Sequence, residues 1–70
     1  MTERYKGLRG WRERHGLKLE EVGDLVGFSS SYLSRVERGE RRVDALDRVR
    51  IARVLGARVA ELFPPDRAMG

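Results

Sequence analysis

Four arginines, Arg35, Arg38, Arg41 and Arg42, crowd one short stretch in which Glu37 and Glu40 are the only acids. A guanidinium is a planar, permanently charged fork. It pairs bidentately with phosphate or with the O6/N7 edge of guanine, so this run suits nucleic-acid recognition. Taken without context it reads more readily as a solvated charged surface, and the surrounding elements must choose between the two. Over the whole chain, fifteen Lys and Arg stand against eleven Asp and Glu, a formal net charge of +4. That balance alone is a weak signal; where the charges sit matters more.

No other chemistry is legible. The sequence holds no paired carboxylates, no metal-ligand cluster, no phosphate-cradling glycine loop and no nucleophile–base constellation. His15 is the single histidine, and no motif places a nucleophile or an acid beside it. There is no cysteine, hence no disulfide framework and no thiolate metal site. The expectation is a non-enzyme with no cofactor and no metal.

The elements that must position the arginines lie between Leu19 and Gly39. Val22, Leu25 and Val26 fall at i, i+3 and i+4, and Leu33 and Val36 at i and i+3, so each set shares one face of a helix. Gly27 lets the first helix stop abruptly, because glycine adopts φ > 0 without a steric penalty. Ser29 offers a hydroxyl to the orphan N–H groups of the second. Only Phe28 separates the stop from the start. Two helices joined this tightly cross steeply, as in a helix-turn-helix.

That stretch resembles the phage-repressor and Cro-like (Xre-like) helix-turn-helix family. Gly23 fills the place where the pattern wants a small residue, and Gly27 is the turn glycine. Val22, Val26, Phe28, Leu33 and Val36 take the buried apolar positions, and Glu37-Arg38-Gly39 is the glutamate-x-glycine ending. The match extends outward from Leu8-Arg9-Gly10-Trp11-Arg12 to Ala60-Glu61-Leu62-Phe63. The resemblance implies an all-α, compact five-helix repressor-like domain, with the helix-turn-helix unit at 19–38 formed by its second and third helices.

Residue by residue, the resemblance implies a structural ion pair between Arg12 and Glu37. It makes the third helix the one that enters the major groove, with Ser30, Ser31, Ser34 and Arg35 toward base edges. Arg35 is the one long forked side chain among them, suited to guanine and worth about 1–3 kcal/mol of discrimination there; the alternative is that it contacts phosphate alone. Arg38, Arg41 and Arg42 are expected on the DNA backbone, where they position the helix without reading sequence. Lys18 and Tyr32 join them; the Tyr32 ring could instead pack on the preceding helix, or its hydroxyl meet a base. Relatives begin the second helix with a cap hydroxyl and then glutamine, whereas this chain has Lys18 and Leu19. The missing cap costs about 1 kcal/mol, offset in part by Glu20 and Glu21 in the first turn.

The remaining helices follow from periodicity and caps. The first is expected over Glu3 to His15, with Tyr5, Leu8 and Trp11 inward and Gly16 closing it. The fourth starts at Asp44, with Asp47 in a capping-box-like arrangement, and ends at Leu55 before Gly56. Its expected core face is Ala45, Val49, Ala52 and Leu55, with Ile51 beside it. Arg48 stands where relatives are usually apolar and Leu46 where they are usually polar, which means either a changed outer surface or a slightly rotated helix. The fifth helix spans about Arg58 to Leu62 and stops at Pro64-Pro65, leaving 64–70 as a short tail.

Length and composition fit one domain over 1–70. A chain this small buries only about 60% of its unfolded surface, so its core is small. The polar, basic N-terminus holds no signal-like apolar run, and no segment is long enough for a membrane span. The expectation is a soluble, cytoplasmic protein with no membrane partner and no small-molecule effector. Its partner would be double-stranded DNA, bound as a homodimeric repressor at a palindromic operator, with Leu46, Val59, Leu62 and Phe63 as dimer-interface candidates, although Val59, Leu62 and Phe63 read equally as closing the monomer core. The competing expectation is a protein-interaction module on the same scaffold, like coactivator or antitoxin relatives.

Overall fold

The computed structural model describes residues 7–65. Its elements are α1 (Gly7–Arg14), α2 (Leu19–Val26), α3 (Ser30–Glu37), α4 (Ala45–Leu55) and α5 (Val59–Leu62), with no strand among the described residues. Helix α1 packs on α5 and α3, α2 on α3 and α4, and α4 on α5. Leu8, Trp11, Val22, Val26, Leu33, Val43, Ile51, Ala52 and Leu62 form the buried core of the described residues, so every element and the α3–α4 loop contribute to it. Among the described residues no helix is long and apolar enough to cross a membrane.

The α2–α3 junction follows from two glycines. Gly27 takes φ +82°, and its N–H and that of Phe28 both donate to the Gly23 carbonyl, at 2.8 and 3.1 Å. A Cβ on Gly23 would lie 2.6 Å from the Phe28 carbonyl oxygen, so only glycine fits without displacing that backbone. The Ser29 hydroxyl then accepts from the Tyr32 N–H at 3.1 Å and starts α3.

The cap of α2 works differently from a hydroxyl cap. The Lys18 backbone N–H donates to the Glu21 carboxylate at 2.7 Å, the reciprocal half of a capping box without its Ser or Thr. At α4 the expected box does not form. Asp44 makes no side-chain cap bond, and Asp47 pairs instead with Arg50 at 3.2 Å. Aspartate is one methylene shorter than the glutamate that closes such boxes.

The expected start of the first helix at Glu3, and Tyr5 on its inward face, lie outside the described residues. One expectation is corrected: helix α4 is rotated relative to the expected face. Ile51 and Ala52 are buried, while Ala45 and Val49 are exposed. The rotation brings Arg48 over the core edge, where its Nε donates to the Val43 carbonyl at 2.6 Å and its guanidinium lies 5.8 Å from the Phe63 ring centroid. The aliphatic stem thus occupies the place of the apolar residue, and the charged head finds a carbonyl and a ring.

Candidate nucleic-acid interface

Helix α3 buries Leu33 against the core and half-buries Val36 and Glu37. By helical spacing, Ser31, Arg35 and Arg38 then share the opposite, exposed face, flanked by half-buried Ser34 on one side and Tyr32 on the other. Ser30 is half-buried at the N-terminal end. Among the described residues, the Arg35 side chain has no hydrogen-bond or ion-pair partner, so its fork projects uncommitted from the middle of that face.

The α3 face is locked to α1 from behind. Arg12 donates to Glu37 through Nε at 2.8 Å and Nη2 at 3.1 Å, and through Nη1 to the Leu17 carbonyl at 3.0 Å. The two side chains are 14% and 6% exposed. The hydrogen bond that Arg12 donates to Glu37 stabilises the charged guanidinium and raises its pKa further above the ordinary arginine value, against the opposing effect of burial. Arg12 therefore joins α1, the α1–α2 loop and α3 in one contact. The sequence pointed to Glu37; the Leu17 carbonyl it could not show.

The loop after α3 supplies three more cations in different states. Arg38 is held: its Nε and Nη2 donate to the Glu40 carboxylate at 3.1 and 3.2 Å, and its Nη1 to the Ser34 hydroxyl at 2.7 Å. The hydrogen bond from Arg38 lowers the Glu40 pKa below the ordinary carboxylate value. Ser34, placed by sequence among base readers, thus accepts from Arg38 here. Arg41 lies with its Cζ 5.3 Å from the Tyr32 ring centroid, while the Phe28 and Tyr32 rings stack at 5.1 Å. Arg42 has no side-chain partner among the described residues. The Phe28-to-Tyr32 spacing of four residues was the available signal for the stack, hidden because the N-cap of α3 falls between them.

Arg41 and Arg42 border a cleft of about 530 Å³ whose walls also include Arg9 and Arg48. Among the described residues Glu37 is the one carboxylate lining it, and Arg12 already holds that group. The field on this side is therefore positive. Lys18 is exposed at the start of α2, its backbone N–H used by the cap and its ammonium without a partner among the described residues.

The dimer-interface candidates divide. Leu62 is 2% exposed and belongs to the core, so it cannot offer its side chain to a partner. Val59 and Phe63 are half-buried against the same core. Leu46, 78% exposed, stands outward on α4. His15 stacks on Trp11 with centroids 4.0 Å apart, and its Nδ1–H donates to the Trp11 carbonyl at 2.8 Å, a helix-end role. Among the described residues no group of His, Asp or Glu could hold a metal.

Residues 7–62 match a family described as "Helix-turn-helix domain". The chain is 41% identical over 54 residues to an uncharacterized HTH-type transcriptional regulator of Sinorhizobium fredii, covering 77% of this chain and 70% of that protein. No solved structure matches it.

Proposed function

The chain belongs to the Xre-like helix-turn-helix family, and from that premise we propose that it binds double-stranded DNA sequence-specifically and regulates transcription. The observation that carries the reading is the exposed face of α3, where Ser31 and the uncommitted Arg35 stand in line and lead into Arg38, Arg41 and Arg42. Such a face fits a major groove, with a cationic loop running onto the flanking phosphates. The relative's name, a transcriptional regulator, supports the same reading.

Arg35 reads guanine, and Ser30, Ser31 and Ser34 lie along the base edges. Arg38, Arg41, Arg42 and Lys18 meet the backbone, and Tyr32, stacked on Phe28, lies behind Arg41. For Ser34 and Arg38 this requires exchange of the Arg38–Glu40 and Arg38–Ser34 bonds for bonds to DNA. The finer reading is a repressor acting as a two-fold dimer on a palindromic operator, with half-sites about one helical turn apart. Exposed Leu46 is the candidate of the original set best placed to face a second copy.

Fluorescence-anisotropy titration of a randomised duplex pool tests the proposal. With about six phosphate contacts per dimer, affinity falls by on the order of 10³ between about 50 and 200 mM salt. Binding that ignores salt, or none, would instead favour a protein partner on the same face.

A further inference from the structure

Two neighbouring arginines of the α3–α4 loop differ in one respect. Arg42 is exposed and touches no ring or carboxylate among the described residues, whereas Arg41, equally exposed, lies over Tyr32. Tyr32 is itself fixed three ways. Its ring stacks on Phe28 with planes 25° apart, it packs on the core, and its backbone N–H is bonded to the Ser29 cap. A flexible cationic side chain on a loop therefore ends on a rigid surface beside the first turn of α3.

We propose that Tyr32 is a positioning residue for Arg41, holding its guanidinium ready for a DNA phosphate through the Phe28–Tyr32–Arg41 column. This rests on the DNA-binding reading above. At 5.3 Å the guanidinium is within cation–π range of the ring, and that attraction acts on its charge and consumes none of its N–H donors, which remain available for bidentate bonding to an anion. An arginine ordered only on binding loses its rotamer freedom at that moment; one ordered in advance does not. The difference is worth roughly a 2- to 10-fold change in affinity. Tyr32 then acts through its ring and through Arg41, not by a hydroxyl contact of its own.

The test compares Tyr32→Phe, Tyr32→Leu, Arg41→Ala and the double variant Tyr32→Leu/Arg41→Ala in duplex binding across a salt series. Tyr32→Phe binds as wild type. Tyr32→Leu binds about 2- to 10-fold more weakly with an unchanged salt slope, since no phosphate contact is deleted. Arg41→Ala lowers the slope by about 0.9 per chain, and the double variant is no weaker than Arg41→Ala alone. Additive losses, or a loss in Tyr32→Phe as large as in Tyr32→Leu, overturn the proposal. A second readout needs no DNA. The Arg41 δ-protons show an upfield ring-current shift in wild type and Tyr32→Phe that Tyr32→Leu abolishes, and its absence from wild type also overturns the proposal. If wild type binds no duplex, the DNA-binding reading fails and takes this inference with it. If wild type binds and the losses are additive, this inference alone fails.

Discussion

Arg12 and Glu37 stand 25 residues apart and meet in a two-pronged, nearly dry contact, 2.8 Å from Nε and 3.1 Å from Nη2, behind the face of α3 that projects Arg35. The third donor of Arg12 holds the Leu17 carbonyl. One guanidinium thus satisfies a nearly dry carboxylate and the Leu17 carbonyl. An arginine guanidinium is charged at any accessible pH, and the hydrogen bond to Glu37 favours the charged form further.

Arg12→Ala is therefore expected to cost about 3–5 kcal/mol, since it leaves the Glu37 charge buried without a partner. For a chain of this size that is much of the total stability, which runs at about 0.05–0.15 kcal/mol per residue. Replacing both partners, Arg12→Met with Glu37→Leu, should recover most of the loss. Urea unfolding of the singles and the double measures the coupling. Losses that simply add would show that the pair is not what holds α3 against α1.

Gly23→Ala is a second stability prediction with opposing terms. Alanine improves intrinsic helicity by about 1 kcal/mol. The added Cβ would sit 2.6 Å from the Phe28 carbonyl oxygen, a backbone atom that cannot swing away like a side-chain end. Overpacking of this kind costs about 1–3 kcal/mol, so the steric term wins. A thermal melt should show a lowered Tm, and an unchanged or higher Tm would mean that the α2–α3 crossing relaxes freely.

The helix-turn-helix unit was the most legible part of the sequence, because Gly23, Gly27 and Ser29 each answer a local backbone demand that few residues meet. The inward face of α4 was not. Leu46, Val49, Ile51, Ala52, Val54 and Leu55 put apolar side chains all round that helix, so periodicity did not single out one face. Arg48 looked polar, yet its stem lies inward. In the candidate site, Arg35 has no side-chain partner among the described residues. The capture of Arg38 by Glu40 was hidden because it depends on the backbone path through Gly39, where φ is +80°. A pair two residues apart across such a turn has no helical or strand spacing to announce it.

That capture yields a prediction for DNA affinity. Glu40 both occupies the Arg38 fork and adds negative charge beside the proposed phosphate path. Glu40→Gln should tighten duplex binding and steepen the salt dependence, by up to about 0.9 in slope if Arg38 gains one phosphate. The pH dependence follows from the lowered Glu40 pKa. The carboxylate and its bond to Arg38 are present at neutral pH. They are lost as pH falls through that lowered value. The affinity gap between wild type and Glu40→Gln should therefore close on acidification. A gap that stays constant would show that Glu40 does not restrain Arg38.

The most direct test of the DNA-binding account is selection and sequencing of bound duplexes from a randomised pool, with wild type and Arg35→Ala run side by side at about 50 and 200 mM salt. The account predicts a palindromic motif whose guanine preference at one position per half-site relaxes in Arg35→Ala, with about 1–3 kcal/mol of discrimination lost there. An identical motif from both proteins would remove Arg35 as the reading residue, and no enriched motif from wild type would contradict sequence-specific DNA binding itself.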